Sequence, residues 1–205
     1  MSRFSTRVAG AIAGIGAGVA LLSATGPTTG AAAPIHADFW YDVSDPALVA
    51  GEAAFAVVGT VERKVREEDH RTIFEVRVVE ELYGSVPSVV RVSQMGYTAQ
   101  GSTIEVDGFA LMEAGRTYIL ALTAPAPEEP QDALLLLTAQ GEGNRLEVVS
   151  ADDEQVAAYR DVLAGARSPY SAGDTYDRTA QHVRRWAQER GGFDTRGLRR
   201  PGMGG

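Results

Sequence analysis

The sequence predicts a mainly β protein, a small barrel of five to six strands followed by two C-terminal α-helices. Three observations predict it. Between residues 54 and 149, several runs alternate apolar and polar side chains, the period of half-buried strands. The first two runs, 54–66 and 71–82, are roughly twice the usual strand length of about 5–6 residues. The first also carries Gly59 on its apolar phase, as a strand that bends around a barrel does. After residue 150 the apolar spacing changes to that of helices.

The elements follow in order. Residues 1–32 read as a secretory signal peptide. Arg3 and Arg7 supply a positive start, and Val8–Leu22 is an uncharged apolar run of 15 residues. That run is short of the ~20 residues needed to span a bilayer. Gly30 and Ala32 put small residues at −3 and −1, so the cut falls between Ala32 and Ala33.

The barrel domain takes residues 33–150. In its lead-in, 34–53, Phe39, Trp40 and Tyr41 are expected to form an arm across a barrel end, the alternative being an exposed aromatic platform for sugar or protein, and Asp45-Pro46 reads as a turn. In strand 54–66, Phe55, Val57, Val61 and Val65 point inward, and Thr60, Glu62, Lys64 and Arg66 outward. The polar turn Glu67-Glu68-Asp69-His70 leads to strand 71–82, with Phe74, Val76, Val78 and Leu82 inward. After the turn at Tyr83–Pro87, strand 88–94 sets Val90 and Val92 inside and Arg91 and Ser93 outside. Residues 95–108 are a Gly-rich loop with a short strand at 103–106, and Glu113-Ala114-Gly115 is a tight turn. Strand 116–123 follows, then a stiff acidic loop with Pro125, Pro127 and Pro130. An apolar strand at 134–137 and a last one at 145–149 complete the sheet.

The helical extension takes residues 151–192. Ser150 and Asp153 have capping-box spacing, Val156, Tyr159, Val162 and Leu163 form a stripe, and Gly165 ends the first helix. Asp174 or Thr175 caps the second, whose stripe is Tyr176, Ala180, Val183, Trp186 and Ala187, and Gly191-Gly192 ends it. With Arg184-Arg185-Trp186 beside it, this helix is expected to dock on the acidic barrel, the alternative being contact with an anionic envelope polymer or lipid headgroups. Residues 193–205, rich in Gly and Arg, are expected to be a disordered tail.

Some of these runs also carry a resemblance. Val57-Val58-Gly59-Thr60-Val61, the hairpin ending in Leu82-Tyr83-Gly84, and Val90-x-Val92 come first. The stretch Phe109–Gly115 and then Tyr118-Ile119-Leu120-Ala121-Leu122 follow a Gly-rich loop. Together, over residues 54–149, they resemble a class of exported bacterial proteins of unknown function built on an OB-like or netrin-like barrel. The resemblance implies an OB-like barrel, a fold that often holds oligonucleotides or oligosaccharides. The netrin-like set includes the tissue inhibitors of metalloproteases, which act through an N-terminal cysteine on the protease zinc. This chain has no cysteine, so that mechanism does not carry over.

Composition excludes several functions. Without cysteine there is no thiol nucleophile, redox pair or cysteine-based zinc site. Residues 34–150 hold 8 basic against 19 acidic side chains, a net of −11, which argues against nucleic acid as a partner. His36, His70 and His182 are isolated and fit no metal-ligand spacing, and no catalytic or cofactor motif is present. No cofactor or metal is expected. The expected function is therefore that of an exported, non-enzymatic, monomeric binding module. It acts outside the cytoplasm, secreted or envelope-associated, on a protein or carbohydrate of the cell envelope, with no transmembrane segment after processing. Tyr97, in the loop 95–108, is the candidate ligand contact. The alternative is a small extracellular hydrolase using acids such as Glu105 and Asp107. N-terminal sequencing of the exported protein is expected to read Ala33-Pro34-Ile35; a product that keeps Met1 would contradict the signal-peptide assignment.

Overall fold

In the computed structural model, the residues described are 45–99, 102–105, 110–137, 145–166 and 174–195. The signal cleavage positions Ala32 and Ala33, the Phe39-Trp40-Tyr41 arm, Asp107 and residues 196–205 lie outside them.

Strand β1, Phe55–Glu68, pairs antiparallel with β2, Arg71–Tyr83, through a two-residue turn. Asp69 and His70 sit in that turn at φ 47° and 62°, the left-handed pair that matches the twist of a hairpin. β2 pairs with β3, Val89–Met95. A small hairpin, β4 (Tyr97–Ala99) with β5 (Ser102–Ile104), leaves the main sheet. β6, Thr117–Thr123, returns beside β1, and β7, Leu134–Leu136, pairs antiparallel with β6 and parallel with β3. The ring β1-β2-β3-β7-β6 closes on β1. Five strands with one parallel contact make the OB-like barrel. β8, Arg145–Val148, pairs only with the first residues of β6 and extends the sheet outside the ring.

Closure depends on β1 bending. Its register against β2 shifts four times, once between Val58 and Gly59. A Cβ at Gly59 would lie 2.5 Å from Val76 Cγ1 and 3.3 Å from Leu120 Cδ1, so the bend needs glycine because the interior is already full there. The first half of β1 is buried on both faces. Phe55, Val57 and Val61 join the barrel interior with Phe74, Val76, Leu120 and Leu134. Ala56 and Val58 face outward into a second cluster with Ile119 and Val148.

Helices supply that outer cover. α1, Pro46–Glu52, adds Ala50 to the second cluster, and its Val49 packs with Ala121 and Leu137. Asp45-Pro46 is thus a helix start and not a turn: the Asp45 carboxylate accepts from Ala47 N at 2.9 Å and Pro46 takes the first helical position. Turn and cap use the same residue chemistry, which is why the sequence did not separate them. α2, Glu154–Ala164, adds Val156, Tyr159 and Leu163 to that second cluster. Its cap is Asp153, accepting from Gln155 N at 3.0 Å, while Ser150 lies one turn earlier. Burial of the Tyr159 hydroxyl pushes its ionisation well above the ordinary value.

α3, Asp174–Arg190, ends at Gly191 and Gly192, with φ of 66° and 75°. Ala180, Val183, Trp186 and Ala187 are all buried, and the last three join the barrel interior cluster. Phe193 packs against the same cluster, its ring 5.0 Å from Trp186 and 5.6 Å from Phe55. Asp194 then forms a β-bridge with Ser85. The folded body therefore includes the first residues of the expected tail. Met112 is buried in the same interior cluster. The fully buried Gln94 holds it there, its amide donating to Ala110 O at 3.0 Å and accepting from Met112 N at 2.9 Å.

Two substitutions test this reading. Gly59→Ala is expected to lower stability by ~1–3 kcal/mol through overpacking, and Trp186→Ala by ~3–5 kcal/mol through the cavity it leaves. Urea unfolding of each variant measures both. A neutral Gly59→Ala would mean that β1 bends without it.

Candidate functional site

Two features meet at Arg91 and Asp132, one ionic and one apolar. The ionic one is built on β1, β2 and β3. Register puts Arg66 opposite Ile73, and Ile73 opposite Ser93, so these side chains share the outer face with Arg71 and Arg91. Each arginine there meets a carboxylate. The Arg66 guanidinium donates to both oxygens of Asp132, at 2.7 and 3.1 Å, and to Glu68 at 2.7 Å. Arg91 also pairs with Asp132, and Arg71 with Glu129. The Arg66 fork holds the Asp132 carboxyl down to about 2, with Arg91 adding to the effect and partial burial opposing it. Arg66 in turn holds Glu68 below the usual carboxylate range.

Glu129 and Asp132 come from the acidic loop between β6 and β7. α3 grips the base of that loop. The His182 ring bonds Pro125 O at 2.7 Å, and Gln131 O accepts from Trp186 Nε1 at 3.2 Å and from Arg190 Nε at 2.8 Å. Loop and helix together cover the outer face. Ser93, expected to face solvent, does point outward yet is only 2% exposed, and Ile73 is fully buried.

The apolar feature is a groove of about 260 Å³ between β3 and the end of α3. Val89, Trp186 and Phe193 give its apolar wall; Arg91, Asp132 and Arg190 lie on its rim. Val89 is 45% exposed, and the Arg190 guanidinium lies 4.6 Å from the Trp186 ring centre. The groove runs beside an open strand edge. Val78 N donates to Ser88 O, and Gly96 N to His70 O, so the even-numbered residues of β3 are those bonded to β2. The backbone groups of Val89 and Arg91 therefore turn away from β2; β7 takes up this side from the Arg91 carbonyl onward through its pairing at Val92 and Ser93, which leaves Val89 and the Arg91 N–H beyond its reach.

A wider hollow of about 440 Å³, at the β6–β8 rim, is lined by Arg116 and Glu147. These two pair with each other, which leaves it a less distinctive surface.

The residues expected to act are elsewhere. Tyr97 is half-buried in β4 with its ring 4.8 Å from that of His70. It belongs to the β1–β2 hairpin tip, about 20 Å along β3 from the groove. Glu67 bonds Lys64 and Thr98 N, and the lysine draws its carboxyl below the ordinary value. Glu105 follows β5, while its expected companion Asp107 lies outside the described residues. Among the described residues no cluster of His, Cys, Asp and Glu is placed to hold a metal ion, and no helix is long and apolar enough to cross a membrane. The groove residues Val89, Arg91, Asp132, Arg190 and Phe193 were not singled out from the sequence, since they come together only through the β3–β7 contact and the docking of α3.

Compared with protein-family models and with curated proteins, the chain shows no match to either.

The Asp132 clasp carries a pH signature. Its carboxyl titrates below the unfolded value of ~3.9, so the contribution is fully present above about pH 4 and is lost as pH falls towards 2. Because the side chain is 44% exposed, Asp132→Asn is expected to cost no more than ~1 kcal/mol at pH 7. The difference from wild type should vanish near pH 2 in acid-dependent unfolding.

Proposed function

We propose that this chain is an exported, non-enzymatic binding module that takes an extended segment of a cell-envelope protein into the groove between β3 and α3. The observation that carries the reading is the conjunction of a backbone edge at Val89 and the Arg91 N–H, beyond the reach of β7, with an apolar groove lined by Val89, Trp186 and Phe193. An exposed edge offers main-chain hydrogen bonds, and a flanking pocket offers a place for one apolar side chain. Such a site favours a polypeptide over a carbohydrate, which has no backbone ladder to match. The closed five-strand barrel supports a fold used for binding, and the sequence of the N-terminal segment supports action outside the cytoplasm.

The carboxylates around the site support binding over acid–base chemistry. Glu129 and Asp132 are each committed to an arginine, and Asp132 stays ionised at neutral pH. The net charge of −11 over residues 34–150 weighs against nucleic acid.

The test is capture of partners from envelope extract by residues 33–205, at low and high salt. Val89→Glu puts a charge in the groove at an exposed position and is expected to abolish capture without changing the melting temperature. Tyr97→Ala is expected to retain it. If Tyr97→Ala abolishes capture and Val89→Glu does not, the partner sits at the hairpin tip and the groove assignment is wrong.

A further inference from the structure

The acidic loop does something that a plain surface loop does not. It carries carboxylates from Glu129 and Asp132, three residues apart, onto arginines of three neighbouring strands, Arg66, Arg71 and Arg91. Asp132 is held as a ligand would be, by a two-pronged guanidinium fork with a second arginine on the same carboxylate. Beneath the loop the face is incompletely satisfied. Ser93 Oγ is buried without a hydrogen-bond partner, and so is Arg71 Nη1. Register makes these two diagonal neighbours on one face, Arg71 lying opposite Met95 and Ser93 opposite Ile73. Buried donors without partners are costly, and both of these suit an oxyanion. Six of the eight basic residues of 34–150, namely Arg63, Lys64, Arg66, Arg71, Arg77 and Arg91, lie on β1–β3. Residues 34–150 are acidic overall, yet most of their positive side chains lie on these strands, beside Glu62, Glu67, Glu68, Glu75, Glu80 and Glu81.

We infer that the outer face of β1–β3 is a binding site for an acidic peptide segment, and that the loop's own Glu129 and Asp132 occupy it as a built-in ligand. The inference goes beyond the groove reading and does not depend on it. A peptide is favoured over an acidic glycan because the present occupant is one: two carboxylates spaced three residues apart on a turn. Competition is with a tethered group whose effective concentration is on the order of millimolar or higher. A single carboxylate such as acetate therefore does not displace it. A segment that delivers several carboxylates at once does.

The test uses poly-L-glutamate as the probe and polygalacturonate as the glycan control, on residues 33–205. Glu129→Gln with Asp132→Asn removes the built-in carboxylates and keeps their shape. The double variant is expected to bind poly-L-glutamate at least tenfold tighter than wild type, and adding Arg91→Gln or Arg71→Gln is expected to cancel the gain. A folded double variant with no gain, or a gain that survives both arginine changes, overturns the inference. Equal or tighter binding of polygalacturonate overturns the peptide assignment. Should the double variant fail to fold, the arginine Nε–H resonances of the wild type decide: poly-L-glutamate is expected to shift Arg66, Arg71 and Arg91 before Arg116 and Arg160. The opposite order, or no shift at all, refutes the site. Partner capture by the groove is a separate readout, so either reading can fail alone.

Discussion

Strand β1 hydrogen-bonds to β2 along its length and to β6 over its first six residues, and the remaining architecture depends on this double pairing. One strand can serve two neighbours in a closed ring only if it coils, and it coils where its register slips. Gly59 makes one slip affordable in steric terms, because its neighbours Val76 and Leu120 leave no room for a side chain. Once β1 is bent, the order of the other strands follows. β6 must return beside it, and β7 must reach back to β3 to complete the ring. The short parallel contact between β3 and β7 covers only two residue pairs, so the first part of β3 keeps an open edge. The groove is thus a product of barrel closure.

The helices answer a problem that closure creates. Burying both faces of β1 requires an apolar cover outside the barrel, and α1 and α2 provide it through Ala50, Val156, Tyr159 and Leu163. The interior is completed by Met112, held by the Gln94 amide, and by Trp186 with Phe193. The helix that brings Trp186 has polar duties as well. Trp186 and Arg190 hold Gln131 O, His182 holds Pro125 O, and the acidic loop is fixed from both sides. Packing and ion pairing are coupled here through one helix.

Period and turn chemistry made much of this legible in the sequence. Alternation located β1, β2, β3 and β6; the Gly59 bend, the polar hairpin tip and the Gly191-Gly192 stop all follow from local rules. The apolar stripe of α3 indicated docking on the barrel. What local rules could not reach was partnership. Ser93 reads as an outward residue, and it is one, but nothing near it in sequence tells that residues 125–133 will lie above it. Asp132 and Arg91 are 41 positions apart. α1 was missed because seven residues carry little periodicity and its Asp-Pro start doubles as turn chemistry. Phe193 sits in a Gly- and Arg-rich stretch whose composition speaks for disorder, and one aromatic ring in that stretch outweighs the average.

The position of Phe193 along the chain also bears on how the protein reaches its fold. Its ring meets Phe55, which lies 138 positions earlier, so the barrel interior is sealed by a segment made long after the first strand. Contacts of such wide separation slow folding, because the chain must lose the entropy of a very large loop before they repay it. A chain emerging N-terminus first can form the β1–β2 hairpin early, yet it holds an unplugged barrel until α3 arrives. A polypeptide delivered N-terminus first therefore locks its interior only when its last helix has emerged.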